Sequence, residues 1–337
     1  MDPVALFLPL PSCFLPLLLL DLCRIFILSS SPMPGMKAQP EPTTLGKKQN
    51  FLGIESRISS YSSSQIVVLP VPYEQTVSYG GGTGRGPRAI LDASRYVEFY
   101  DEELGTELCK NVGIATLPPL SFGKSTGEKA MVKIYEAVKK LIADGKFVAV
   151  LGGEHSISSA PIRAHLEKYP DLSVIHFDAH ADLRDSYEGS KYSHASVMAR
   201  VCEYMDPARV VQVGIRALSP EEAEFIRTSG ITTLYAHQIR EMAGWIPSIP
   251  PKLTEHVYVT FDVDGLDPSI MPSTGTPEPN GLFWAETMKA LRLVGEQKEI
   301  VGFDVVEFAP NKTVQHPDYT AAKLTYKLMN YAWLSKK

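Results

Sequence analysis

Cysteine is scarce. Four of 337 residues are cysteine (Cys13, Cys23, Cys109 and Cys202), and none sits in a C-x-x-C pair. That excludes a disulfide-dense secreted scaffold and a thiolate metal site, and it fits a reducing, cytoplasmic setting. Charge of one sign is missing as well. Lys plus Arg number 33 and Asp plus Glu 38, for a net charge of −5 with no long run of either sign. No nucleic-acid or anionic-membrane partner is expected. The glycine-rich stretch 80–86 fits neither G-x-G-x-x-G nor G-x-x-x-x-G-K-[ST], so it is read as a mobile loop shaping a pocket mouth, with a purely structural turn as the competing reading, rather than as a phosphate cradle. An uninterrupted hydrophobic run is also lacking. Residues 4–28 are strongly apolar, but Pro9, Pro11, Pro16 and Asp21 break them up. A membrane helix wants about 20 unbroken apolar residues. An export signal wants a positive start, and the first basic residue here is Arg24. Residues 1–50 are therefore expected to be a leader outside the mature fold, with Met33 or Met36 as the alternative start. An export or anchoring signal is the competing reading.

What is present is an alternation. From residue 65 onward, short β-branched runs are followed by amphipathic stretches. Strands are expected at 66–69, 147–151, 173–177, 210–215, 257–261 and 300–303. Helices are expected at 129–142, where Met131, Ile134, Tyr135, Val138, Leu141 and Ile142 have helical spacing, and at 160–169, 282–294 and 320–333. Strands alternating with helices imply a parallel sheet covered on both faces. Near-continuous apolar strand runs agree with burial on both sides. One domain over 51–337 is the simplest account: an α/β, three-layer αβα sandwich with a mainly parallel central sheet.

Three strand ends carry polar clusters. After 147–151 comes Gly-Gly-Glu-His-Ser, with His155. After 173–177 comes Asp178-Ala-His180-Ala-Asp182. After 257–261 comes Asp262-Val-Asp264-Gly-Leu-Asp-Pro. Ligands bind beyond the carboxyl ends of parallel strands, and residues i, i+2 and i+4 of an extended segment share a face. Four carboxylates and two imidazoles are thereby brought together. Like-charge repulsion among them would cost several kcal/mol without cations. Six groups cannot supply two full separate coordination spheres, so some carboxylates must bridge two ions roughly 3.5–4 Å apart. Oxygen-rich ligation with two imidazoles and no thiolate favours Mn²⁺ over structural Zn²⁺.

Two further residues stand out. His194, on the segment after the second cluster, is either a proton shuttle or a satisfied loop histidine. Glu307, at the end of the last strand, is either a clamp for a planar cation or a core-pairing carboxylate.

These motifs give the chain a family resemblance. Gly-Gly-Glu-His-Ser at 152–156, Asp-Ala-His-Ala-Asp-Leu-Arg at 178–184, Asp-Val-Asp-Gly-Leu-Asp-Pro at 262–268, Gly-Thr-Pro-Glu-Pro at 275–279 and Asp-Val-Val-Glu at 304–307 resemble the ureohydrolase (arginase/agmatinase) family over residues 50–335. The resemblance implies two Mn²⁺ per chain, one held by His155, Asp178, Asp182 and Asp262, the other by His180, Asp178, Asp262 and Asp264. It implies hydrolysis of a guanidinium to urea and an amine, with Asp182 orienting the attacking water, His194 as proton shuttle and Glu307 binding the guanidinium. It also implies a homo-oligomer, a trimer or hexamer. The loop after Asp182 is acidic and lacks the Asn-and-Thr pattern of arginases. Asp185, Glu188 and Glu278 are therefore expected to favour an amine over a carboxylate at the substrate's far end. Agmatine fits best, yielding putrescine in polyamine biosynthesis. Aminopropyl-agmatine, guanidinobutyrate and arginine are the alternatives. A one-zinc deacetylase of similar fold and a degenerate binding protein are the rivals from outside the family.

Overall fold

The computed structural model describes residues 41–336. Eight strands form one sheet: β1 (Ile66–Val71), β2 (Ile114–Thr116), β3 (Phe147–Gly152), β4 (Ser173–Phe177), β5 (Val210–Ile215), β6 (Thr232–Tyr235), β7 (His256–Asp262) and β8 (Glu299–Val306). Their order is β2-β1-β3-β8-β7-β4-β5-β6, and every pairing is parallel. The expected sheet is thus present and wholly parallel. The short strands β2 and β6, at its two edges, have no counterpart among the strands expected from sequence.

Alternate residues of each strand feed different layers. In β1, Ile66 and Val68 join a core with helices α1 (Gly86–Ser94), α8 (Trp284–Gln297) and α9 (His316–Ala332). Val67 and Leu69 point the other way, into a core with α3 (Glu128–Ala143) and α4 (Ser159–Lys168). With both faces covered, the strands have no polar side to show, which is why their sequences read as unbroken apolar runs.

Helix α3 buries Met131, Ile134, Val138, Leu141 and Ile142, the stripe its spacing predicts. It stops at Asp144-Gly145, where Gly145 takes a left-handed φ of 74°. Helix α9 begins four residues earlier than expected because Pro317 occupies its first turn, where a missing N–H costs nothing. Ordered packing also begins upstream of residue 51. The amide of Leu45 donates to the carbonyl of Thr116, and the Asn50 side chain donates to the carbonyl of Ile54. The expectations for residues 1–40 lie outside the described residues. Among the described residues, no helix is long and apolar enough to cross a membrane.

The strands that end in the polar clusters are neighbours. β3, β8, β7 and β4 run side by side through the middle of the sheet, so the segments leaving their carboxyl ends converge.

Candidate metal centre and substrate cleft

His155 opens a short 3-10 turn directly after β3. Its placement needs Gly153: a Cβ there would lie 1.9 Å from the carbonyl oxygen of Tyr73. Asp178, His180 and Asp182 follow β4, and Asp262 closes β7, with Asp264 in the next turn. Asp182 and Glu307 both hold left-handed backbone, with φ of 56° and 61°. Strain of this kind in non-glycine residues persists where the surroundings impose it, often at functional sites.

The six expected ligands meet in two groups. Nδ1 of His155 lies 2.9 Å from Asp178 Oδ2, 3.2 Å from Asp182 Oδ2 and 3.2 Å from Asp262 Oδ2. Nδ1 of His180 lies 3.0 Å from Asp264 Oδ2 and 3.5 Å from Asp178 Oδ1. Asp178 thus turns one oxygen to each group.

The donor chemistry fits cations. Thr260 donates its hydroxyl to Asp304 Oδ1 at 2.6 Å, so it accepts from Nε2 of His155 at 2.9 Å. That places the ring hydrogen on Nε2 and leaves Nδ1 as a lone pair facing three carboxylates. This buried nitrogen has no hydrogen-bond partner. His155 Nδ1 and the three carboxylates would be satisfied together by a divalent ion, and the Thr260–Asp304 pair orients the imidazole from behind.

Sequence reasoning passed over His176, which lies inside an apolar strand run. It is fully buried, and its Nε2 lies 2.6 Å from Asp178 Oδ2. Its Nδ1 faces the amide nitrogen of Gln212 at 3.1 Å, and Gln212 Oε1 accepts from Thr233. The amide therefore donates to Nδ1, and His176 donates from Nε2 to Asp178. Both ring nitrogens are used, so His176 orients Asp178 and keeps no lone pair for an ion.

The electrostatics follow from crowding. Burial works to lower the basicity of His155, but the carboxylates of Asp178, Asp182 and Asp262 that face its Nδ1 outweigh it and raise its pKa well above the usual value. His180 is likewise raised, by Asp264 and Asp178 against its burial. Burial, then the charges of Asp264 and Asp178, push Asp262 far above the ordinary carboxylate range. For Glu307, burial pushes the pKa up, and the backbone N–H of His155 only partly opposes it.

His155, His180, Asp182, Asp262 and Asp264 line an inner cleft together with Thr76, Ser78, Glu154, His194, Thr276 and Glu307. Its free volume of about 20 Å³ is room for little more than one water. It continues into an outer cavity of about 460 Å³ that Glu278, Arg184, Tyr187 and Glu222 help to line. Of the glycine-rich stretch 80–86, Gly80 lines the cleft; the segment before it, Thr76 to Tyr79, forms one wall, and the Gly80 amide donates to Gly275 O at 3.1 Å.

Two expected substrate contacts are not in either cavity wall. Asp185 is exposed, and its carboxylate is engaged by Arg200 at 3.0 Å and Lys191 at 3.6 Å. Glu188 is exposed at the tip of a tight turn in which Tyr187 and Ser190 exchange backbone hydrogen bonds. Glu188 and Gly189 both have positive φ (49° and 81°), as a type I′ turn demands, and this carries Glu188 outward. The acidic loop composition reflects solvent contact and ion pairing rather than an amine pocket. Glu278, by contrast, does line the outer cavity.

Parallel strands of an α/β architecture converge on a buried His/Asp cluster able to hold metal, with His194 and Glu307 lining the same cleft. Residues 64–330 match the arginase family, and the chain belongs to it. It is 40% identical over 298 residues to the N(1)-aminopropylagmatine ureohydrolase of Synechocystis, covering 87% of this chain and 96% of that one. It is 37% identical to the agmatinase of Bacillus anthracis, covering 82% and 94%. Among solved structures it is similar to the agmatine ureohydrolase of Thermoplasma volcanium, with a TM-score of 0.76 and 29% identity over 83% of this chain and 94% of that one.

Proposed function

We propose that the chain is a manganese ureohydrolase that cleaves the guanidinium of a linear amine, agmatine or its aminopropyl extension, releasing urea and the free polyamine. The observation that carries this is the convergence of the Glu307 carboxylate and the His/Asp cluster on one narrow cleft.

His155, Asp178, Asp182 and Asp262 would hold one Mn²⁺, and His180, Asp264 and Asp178 a second, with Asp262 completing it. When bound, the pair supplies Lewis-acid polarisation and lowers the pKa of water toward neutrality. The protein does the rest. Glu307 receives the planar cation through charge-assisted hydrogen bonds, which sets the guanidinium carbon toward the ligand cluster. Asp182, on its strained backbone, orients the attacking water. His194 takes up a proton and returns it to the departing nitrogen, so that guanidinium and water become urea and an alkylammonium ion with charge conserved. The outer cavity suits a flexible cationic tail, with Glu278 as its acidic wall.

The aminopropyl extension is favoured by two observations. The outer cavity is far larger than the four-carbon tail of agmatine needs, and the Synechocystis relative bears that substrate in its name. Urea release tests the proposal. The Mn²⁺-loaded chain is offered agmatine, aminopropylagmatine, arginine and guanidinobutyrate. The two amines are expected to react with the higher kcat/KM. A preference for arginine or guanidinobutyrate, or no urea from any of them, overturns it.

A further inference from the structure

His194 has neighbours whose hydrogen bonds leave its ring one arrangement. Oγ1 of Thr76 lies 2.9 Å from Oε1 of Glu154, 3.2 Å from Nδ1 of His194 and 3.1 Å from the His194 main-chain nitrogen. Glu154 is buried, and both its oxygens act as acceptors. Oε2 takes the backbone N–H groups of Gln75 (2.5 Å) and Thr76 (2.6 Å), and Oε1 takes the hydroxyl of Ser156 (2.6 Å). An acceptor so placed claims the single hydroxyl proton of Thr76. Toward His194, Thr76 Oγ1 can then only accept. The main-chain N–H of His194 fills one direction. The other faces Nδ1, so that nitrogen carries the hydrogen. Ser193 Oγ, more distant at 3.4 Å, serves the same hydrogen as a second acceptor. Nε2 keeps its lone pair, turned to the cleft wall, where Ser78 Oγ donates to it at 3.0 Å.

We propose that Thr76 and Glu154 are positioning residues for this site. They fix His194 in the Nδ1–H tautomer, keep Nε2 as the unprotonated nitrogen whose lone pair can take a proton in place of the Ser78 hydrogen bond, and stabilise the imidazolium that results. In Ser-His-Asp triads a carboxylate touches the imidazole directly and does both. Here a threonine hydroxyl stands between them. Thr76 relays the carboxylate's pull while holding the loop from Thr76 to Gly80 against the strand end that carries His155. No bond is made or broken in this relay beyond the proton that Nε2 accepts and later gives up.

The inference rests on His194 carrying that proton, and the experiment separates the two claims. Urea release by the full Mn²⁺-loaded chain is compared for His194→Asn, Thr76→Val, Thr76→Ser and the double variant Thr76→Val/His194→Asn. Mn²⁺ content and melting temperature are recorded for each. Thr76→Val is expected to lower kcat about 10- to 100-fold with little change in KM. Thr76→Ser, which keeps the hydroxyl, is expected to recover most of that loss. In the His194→Asn background, Thr76→Val is expected to cost nothing further. If Thr76→Val loses Mn²⁺ or melts early, Thr76→Ala, which needs less room, takes its place in the same scheme. An unchanged kcat in the hydroxyl-free variant, or full additivity in the double variant, overturns the relay. An unchanged kcat in His194→Asn overturns instead the assignment of His194 as proton carrier.

Discussion

The backbone N–H of His155 donates to the carboxylate of Glu307 at 2.6 Å, joining the turn after β3 to the residue that follows β8. The Glu307 amide returns a bond to Gly153 O at 2.8 Å. His155, in the His/Asp cluster, and the Glu307 carboxylate are therefore held in fixed register by two paired strands. Movement of one would move the other.

Glu307→Gln tests the clamp without breaking this register. The amide oxygen still accepts from His155 N–H, but the charge is gone. Losing the charge-assisted part of two hydrogen bonds costs about 3–4 kcal/mol, or roughly 10²- to 10³-fold in kcat/KM. Mn²⁺ content is expected to stay constant. Steady-state urea release with elemental analysis decides it. Undiminished kcat/KM would show that Glu307 does not bind the guanidinium.

The two ligand groups predict a stoichiometry. Elemental analysis is expected to find two Mn²⁺ per chain, and chelation is expected to abolish activity reversibly. Asp264→Asn weakens only the group centred on His180, so it should retain close to one ion while His155→Asn disturbs the other. Mn²⁺ should also raise the melting temperature in a concentration-dependent way, because it binds the folded chain alone. A single tightly held Zn²⁺ would instead point to one-metal chemistry.

The sheet's interior and the six clustered His and Asp side chains were legible in the sequence for one reason. A strand buried on both faces must be apolar, so a carboxylate or imidazole at its end stands out. His176 was hidden by the same logic, since one polar residue inside Ser-Val-Ile-His-Phe reads as part of the strand. The edge strands β2 and β6 are only three and four residues long, and all four residues of β6 are half-buried, so neither produces a periodic signal. Thr76 and Glu154 escaped notice because their partnership joins segments 78 residues apart. Asp185 and Glu188 failed in the opposite direction. Their charge was visible, but a turn and a nearby arginine, neither visible as such in composition, decided where that charge faces.

The far end of the substrate is where that correction matters. Asp185→Asn is expected to leave KM for agmatine and aminopropylagmatine within about twofold, because an exposed charge in salt contributes little across a distance. Glu278→Gln removes an acid from the outer cavity wall. It is expected to raise KM for aminopropylagmatine several-fold, on the order of 1 kcal/mol for a partly exposed ion pair, and to affect agmatine less. An equal effect on both substrates would remove Glu278 from the tail-binding wall.

A last prediction concerns stability rather than catalysis. His165 on α4 is fully buried, its Nδ1 lies 2.8 Å from the carbonyl of Pro161, and its ring packs on Tyr258 at 4.9 Å. Gly302 leaves it just enough room, since a Cβ there would sit 2.3 Å from Nε2. Burial, which disfavours the imidazolium, lowers its pKa from 6.5 to about 4. The folded chain thus keeps His165 neutral at pH values where the unfolded chain protonates it. Stability is undiminished above pH 6.5 and falls as the pH drops from 6.5 toward 4, by about 1 kcal/mol per unit once the unfolded form is mostly protonated. Denaturant unfolding of the metal-free chain at pH 7.5, 6.5 and 5.5 measures this against His165→Gln, with protonation of the metal ligands common to both proteins. The variant is expected to be less stable at pH 7.5, having lost a fitted ring, and the gap should narrow on acidification. A gap that stays constant from pH 7.5 to 5.5 would mean that His165 does not titrate differently in the folded and unfolded chains.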